Sequence, residues 1–333
     1  MRASGIRMRP ELPLLALALT WLGGCVEYTI ETTVRPDGSG VRVERMDAQE
    51  DENVSVTSGD FTELMAVSGA RGWTHRRDVS DEGDSIHVFE RRRDIPGLDA
   101  WADLTGQVRI AGAPRRASGT RVGYVTLGDV GFSNQVLVVT GMGSDGSRAY
   151  TYRETFSWDN AVDVLVEFFM ERVDRTLGAR YPTLSGRERG EIVGFARARL
   201  WHAMDAGLIG AADSLETRLI SQVIDHTVRH GLKIVRLRYP DEGPDFLQRA
   251  LNQLYEGSDE WLEEILENQV PGLNLAFNTG IEFRLTMPGR VTDTNAHRRD
   301  GNTLVWEFGP TDAMPGDIQV FARSVVEGMQ LNR

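Results

Sequence analysis

From Val26 onward, apolar and polar positions alternate. Val26, Tyr28, Ile30 and Val34 fall on one face and Glu27, Thr29, Glu31, Thr33 and Arg35 on the other, the period of two that marks a half-buried strand. Pro36-Asp37-Gly38-Ser39-Gly40 reads as a turn, after which Val41 and Val43 begin a returning strand. An acidic loop is expected over 47–60, then a short helix over 61–70 capped by Asp60, with Gly72 just past its end. Segments 73–79 and 85–92 form a hairpin about Asp81-Glu82-Gly83-Asp84, a short helical piece covers 98–104, and further strands are expected at 107–111, 121–127, 135–140 and 148–158.

The period then changes. Val162, Leu165, Val166, Phe169 and Val173 recur at helical spacing. Ser185 and Glu188 make a capping-box pattern ahead of Ile192, Phe195 and Leu200, and Asp213 or Ser214 caps a third helix. Pro244 opens a fourth with Leu247 and Leu251, and Ser258 or Asp259 a fifth with Leu262 and Ile265. These stripes read as the core faces of a small helical bundle, and the run Asp259, Glu260, Glu263, Glu264, Glu267 reads as a solvated face. Alternation returns with Leu273, Leu275, Phe277, Ile281, Phe283 and Leu285, and a last strand is expected over 317–326. The pattern predicts an α+β protein: a curved, mostly antiparallel sheet with packed helices, interrupted by an inserted helical bundle. Its domain is discontinuous, 25–158 plus 272–326, with the insert at 159–271.

Ahead of the first strand the pattern is of another kind. Residues 1–10 carry Arg2, Arg7 and Arg9, and Leu12 to Leu22 form an apolar stretch of eleven residues. As a helix it reaches roughly 16 Å, about half of a ~30 Å hydrocarbon core, so its length and flanks suit the central region of a signal peptide. Leu22-Gly23-Gly24-Cys25 closes it and resembles the lipobox of bacterial lipoproteins. That resemblance implies removal of residues 1–24 by cleavage between Gly24 and Cys25, and acylation of Cys25, with palmitate among the attached chains. Cys25 is also the chain's single cysteine, so an intramolecular disulfide is excluded. Because strand alternation starts at Val26, the folded body is expected to lie against the lipid surface with no tether between. In an envelope with two membranes, Val26 in place of an aspartate after the cysteine favours the outer one.

Composition narrows the partners. Hydrophobic residues make up 41% and charged residues 26% of the chain, the balance of a folded protein. The net charge is −12, and losing residues 1–24, with a net +2, leaves a body at −14. Such a body argues against nucleic acid as a partner and against broad electrostatic docking on anionic lipid. Arg91-Arg92-Arg93 is the local exception, a candidate contact for headgroups weighed against an ordinary solvated run.

Candidate chemistry is sparse. Gly141-Met142-Gly143-Ser144-Asp145-Gly146 matches a dinucleotide fingerprint, but that site needs a helix next to hold the pyrophosphate. Arg148 to Arg153 continues as strand, so the motif reads as a hairpin turn. His226 and His230 stand four apart on one predicted helix, with His202 and Asp205 on the preceding one, the material of a four-ligand zinc site. The segment between His226 and His230 lacks the glutamate that serves as base in the zinc-protease motif, and packing at a helix boundary explains such a pair equally. No metal or other cofactor is assigned, and no catalytic set is visible: the sequence has no G-x-S-x-G elbow and no P-loop.

The closing segment carries a second resemblance. Met287-Pro288-Gly289-Arg290-Val291-Thr292-Asp293-Thr294-Asn295-Ala296, a turn at Asp300-Gly301-Asn302, and Thr303-Leu304-Val305-Trp306-Glu307-Phe308 are similar to the closing motif of LppM-like bacterial lipoproteins. Cys25 running straight into a strand and an Asp-containing turn is similar to their opening. The resemblance implies an α+β domain whose sheet packs on helices, with an apolar pocket suited to a lipid, and Pro288, Gly289, Asn295 and Trp306 as its structural residues. The inserted bundle departs from that pattern. The functional expectation is therefore a non-enzymatic, membrane-anchored envelope lipoprotein that binds a lipid-like ligand or an envelope protein. The alternatives are a metal-dependent hydrolase built on His226 and His230, or a structural docking module.

Overall fold

The structure is a computed structural model that describes residues 26–49, 65, 67–79, 85–111, 121–123, 125–126, 130–205, 213–245, 247–249, 251, 264–265, 269–314 and 316–327. It is an α+β protein. The chain divides into two compact units, one holding Leu22–Glu167 with Glu264–Arg333 and the other Phe168–Glu263.

The first unit is built around β1 (Val26–Val34), whose burial alternates residue by residue as its sequence requires. It pairs antiparallel with β2 (Gly40–Gln49), placing Val34 opposite Gly40. On its other side it pairs parallel with β10 (Thr279–Thr286), placing Val26 opposite Thr279. The chain's first described strand is thus locked beside one that follows it by some 250 positions. With β3 (Thr74–Val79), β4 (Ser85–Ile95), β12 (Arg298–Asp300) and β13 (Thr303–Phe308), these strands form a sheet in the order β12-β13-β10-β1-β2-β4-β3.

A second sheet runs β11-β14-β9-β8-β5, from β5 (Arg109–Ala111), β8 (Gly131–Met142), β9 (Arg148–Asp159), β11 (Arg290–Thr294) and β14 (Ile318–Val326). A small ribbon pairs β6 (Arg121–Val122) with β7 (Val125–Thr126). Where one curved sheet was expected, two sheets share one core. Alternation tells which face of a strand is buried, but it does not tell which sheet the strand joins. Ile30, Phe283 and Trp306 from the first sheet and Phe132, Tyr152, Phe156 and Val320 from the second belong to the same apolar cluster. Phe156 meets Phe283 edge-on at 6.1 Å and Phe308 at 5.1 Å. Each side chain so buried contributes about 1.5–3 kcal/mol. The outward face of the first sheet is a mosaic of exposed pairs such as Arg284–Glu31 at 3.6 Å and Arg298–Glu307 at 3.2 Å, each worth less than about 1 kcal/mol.

Local chemistry explains the joints. Between β1 and β2, Gly38 takes φ +87° and the Asp37 carboxylate accepts from the Ser39 N–H and hydroxyl at 2.9 and 2.7 Å, an Asx turn. A Cβ on Gly40 would lie 2.4 Å from the Trp101 ring. That absence lets Trp101, in the 3-10 helix Leu98–Leu104, reach the core and donate its Nε1–H to the Gly38 carbonyl at 3.0 Å. Gly72, at φ +82°, ends the 3-10 turn Gly69–Arg71 as its place in the sequence suggested. The rest of the helix expected over 61–70 lies largely outside the described residues.

One expected strand is a helix. Leu273, Leu275 and Phe277 lie in a helix spanning Pro271–Phe277. Pro271 supplies a φ suited to the first helical position, and Leu273, Ala276 and Phe277 are buried at three- and four-residue spacing, a stripe that the alternation of leucines conceals.

The second unit contains the part of α1 (Ala161–Arg180) from Phe168 on, α2 (Gly186–Asp205) and α3 (Asp213–Val235). The capping box at the start of α2 is formed: the Ser185 N–H donates to Glu188 Oε2 at 2.8 Å, and the Glu188 N–H to Ser185 Oγ at 3.3 Å. Val173 and Leu177 of α1, Ile192 and Ala196 of α2, and Val228 and Leu232 of α3 are buried, as are Leu247 and Leu251 beyond them. Continuing the numbering, the helix Pro271–Phe277 is α4 and belongs to the first unit.

Candidate functional site

The polar heart of the sheet body is a set of four charges between its sheets. Arg42 and Glu44 project from β2, Arg91 from β4 and Glu154 from β9, and their side chains are 0–2% exposed. Arg42 forms a bidentate pair across the sheets, Nη1 to Glu154 Oε2 at 3.0 Å and Nη2 to Glu154 Oε1 at 2.9 Å. Arg91 Nε donates to Glu44 Oε2 at 2.7 Å, and its Nη2 to the Gln107 carbonyl at 3.2 Å. The Tyr28 hydroxyl donates to Glu44 and the Tyr152 hydroxyl to Glu154. Asn134 of β8 donates its Nδ2–H to Glu154 and accepts on Oδ1 from the Gln107 and Val108 N–H groups.

Two arginines and two glutamates sum to zero, which is how such charges persist without water. Burial works against the Arg42 charge, but Glu154 and then Glu44 outweigh it and hold the guanidinium above its ordinary pKa. Burial, then the adjacent glutamates, push Tyr28 and Tyr152 well above the usual tyrosine range, so both stay neutral donors. With every carboxylate paired and shielded, this set joins the sheets and presents no nucleophile or base to a substrate.

One member of the network, Arg91, also borders a cleft. That cleft, of about 480 Å³, opens where β4 meets the 3-10 turns, lined by Arg71, Arg91, Arg92, Arg93, Asp94 and Asp103 among others. Arg91 forms part of its wall, its guanidinium 4.5 Å over the Trp73 ring. Arg93 donates to the Gln107 side-chain oxygen at 2.6 Å, and burial, then the neighbouring Arg91 charge, lower its pKa. The volume lies in the range of small-ligand sites, and four of the residues lining it are arginines.

The residues singled out from the sequence fall as follows. Gly24 and Cys25 lie outside the described residues. His202 and His226 are exposed on α2 and α3. The His230 ring stacks on Phe195 at 4.1 Å, with its Nε2 3.8 Å from Glu191. The side chain of Asp205 lies outside those described. Among the described residues no group of three or more His, Cys, Asp or Glu side chains is placed to hold a metal ion. The glycine motif at 141–146 closes the β8–β9 hairpin, with the Gly143 N–H donating to the Ser147 carbonyl at 2.8 Å and Gly146 at φ +80°. No described helix is long and apolar enough to cross a membrane.

The closing motif has clear structural work. Gly289 takes φ +69°, and a Cβ there would lie 2.3 Å from the Val325 carbonyl oxygen; Pro288 precedes it in the same turn. Asn295 Oδ1 accepts from Trp306 Nε1 at 3.0 Å and from the Phe321 N–H at 2.9 Å, and its Nδ2–H donates to the Gln319 carbonyl at 2.6 Å. It therefore ties β13 of one sheet to β14 of the other, where the sequence suggested a turn-former. Trp306 is 2% exposed.

Protein-family models give no match to the chain, and neither do the curated proteins. Among solved structures the chain is similar to the NMR structure of the folded domain of Mycobacterium tuberculosis LppM, at 10% identity and a TM-score of 0.27, over 91% of this chain and 90% of that one.

Proposed function

We propose that the protein is a non-enzymatic envelope lipoprotein, held to the membrane by acyl chains on Cys25 and binding a ligand or envelope partner through its sheet body. The observation that carries the reading is the position of Val26. It follows the lipobox-like Leu22-Gly23-Gly24-Cys25 directly, is 2% exposed and is paired on both sides within the larger sheet. An acyl group on residue 25 therefore sits one residue from a rigid strand, which keeps the body at the lipid surface. A non-catalytic role is supported by the pairing of Glu44 and Glu154, whose carboxylates are taken up by Arg42, Arg91 and Asn134.

The test is metabolic labelling of the full chain in bacterial cells with an alkyne analogue of palmitate, followed by intact-mass analysis. Wild type takes up label and begins at a modified Cys25, whereas Cys25→Ser takes up none. Label that persists in Cys25→Ser, or wild type that never incorporates it, sinks the anchored reading.

A further inference from the structure

The cleft beside β4 is out of character for a chain of net charge −12. Four arginines line it against two aspartates. Two of the four are already matched: Arg91 by Glu44, and Arg92 by Asp94 at 3.3 Å on the outward side of the strand. The other two are not. Arg93 has a neutral amide, Gln107, as its hydrogen-bond partner, and neither Arg93 nor Arg71 has a carboxylate within ion-pair distance among the described residues. With Glu44 included, the lining keeps one net positive charge. The strand geometry explains why the charges gather: Arg91 and Arg93 share the inward face of β4, two residues apart, and the chain turns at Gly72 to bring Arg71 to them, its carbonyl accepting from Arg91 Nη1 at 3.4 Å.

We infer that this cleft binds an oxyanion, a phosphate or carboxylate group, with Arg93 and Arg71 as its direct donors and Arg91 as the fixed wall behind them. Guanidinium forks suit such groups because two parallel N–H donors meet two oxygens. Arg91 is preorganised by Glu44, the Gln107 carbonyl and Trp73, so its positive field is present before any ligand arrives. The lowered pKa of Arg93, caused by burial and then by Arg91, agrees with a site where an anion relieves a crowded positive charge. The inference deepens the ligand-binding half of the proposed function and does not depend on acylation of Cys25.

The probe is inorganic phosphate, titrated calorimetrically into the detergent-solubilised full chain in a phosphate-free, low-salt buffer. Saturable binding is expected, weakened at least tenfold in the double variant Arg71→Gln/Arg93→Gln. Arg175→Gln, which removes the same kind of charge from a side chain 73% exposed on α1, leaves it unchanged. A second arm asks whether the anion comes on a lipid. Co-sedimentation with phosphatidylglycerol vesicles, against phosphatidylcholine vesicles, uses the Cys25→Ser full chain so that no acyl group contributes. Retention that free phosphate reverses and the double variant lacks identifies a headgroup; phosphate binding without retention identifies a soluble anion. Both support the site. No saturable binding of phosphate and no selective retention, or binding that survives in a folded double variant, overturns it, and palmitate labelling would still stand or fall separately.

Discussion

At the scale of single residues, the sheet body depends on side chains whose removal leaves a buried partner stranded. Glu154→Gln takes the charge from the bidentate partner of Arg42, whose next carboxylate, Glu44, is 3.5 Å from Nε. Leaving a buried charge underpaired costs about 3–5 kcal/mol, to be read as a lowered midpoint in urea unfolding. Replacing both partners, Arg42→Met with Glu154→Leu, is expected to recover much of that loss, because the desolvation penalty leaves with the charges. If single and double variants fall equally, the pair is not what joins the sheets. Asn295→Ala removes three hydrogen bonds; the Phe321 N–H and the Gln319 carbonyl can turn to water, but Nε1 of the buried Trp306 loses its acceptor, at about 1–3 kcal/mol. That loss should appear as a lower melting temperature, with Asn295→Asp recovering part of it, since a carboxylate oxygen can still accept. Pro288, Gly289, Asn295 and Trp306 were visible as a motif. The reach of Asn295 to Gln319 and Phe321 was not, because it depends on which strands become neighbours, and local sequence does not encode that.

At the scale of elements, legibility follows how locally each one is determined. β1, the hairpin of β3 and β4, the 3-10 helix Leu98–Leu104 and the Ser185 cap rest on near-neighbour patterns and were readable. β2 misleads. Val41 and Val43, which mark its start in the sequence, are only half-buried, while Arg42 and Glu44 are fully inside. A charged residue enters a core when a counter-charge meets it there, and Glu154 arrives from a different sheet. The edge strand β3 offers a prediction of its own. His75 stacks on Phe89 at 4.6 Å and on His87 at 5.1 Å, and its Nε2 lies 2.9 Å from His87 Nδ1. One of those nitrogens must be unprotonated to accept. Burial, then the His87 charge, lower the His75 pKa below its ordinary value. The folded state thus takes up a proton less readily than the unfolded chain, so the pair's contribution is present above the unfolded pKa of about 6.5 and is lost as pH falls through that value toward the folded pKa. Relative to the intrinsic rate, which itself slows as pH falls, the protection of β3 amides against hydrogen exchange should decrease from about pH 7.5 to about 5.5 in wild type, and His75→Gln should flatten that decrease. An equal pH response in both would remove the histidine pair from the explanation.

At the scale of the whole molecule, the organising fact is that β1 finds its parallel partner β10 only after the second unit has been made. The chain leaves the sheet body after β9 and returns through α4, and the two crossings meet: Trp158 and Phe277 pack edge-on at 5.4 Å. Closing a loop costs entropy that grows only with the logarithm of its length, about 0.6 kcal/mol per doubling. Replacing Phe168–Glu263, roughly a hundred residues, by a linker of about ten glycines and serines therefore changes the closure term by about 2 kcal/mol, in the direction of stability. The residues that seal the body on either side of the cut, Ala161 and Val164 before it and Val270, Leu273 and Ala276 after it, are buried and retained. A chain shortened in this way should unfold in one cooperative urea transition and keep its strand-type circular dichroism. It should also bind phosphate as the full chain does, because Arg71, Arg91 and Arg93 all lie in the retained unit. A broad, non-cooperative transition would mean instead that β1 and β10 cannot hold together without the helices between them, and that the helical unit is part of the fold's closure.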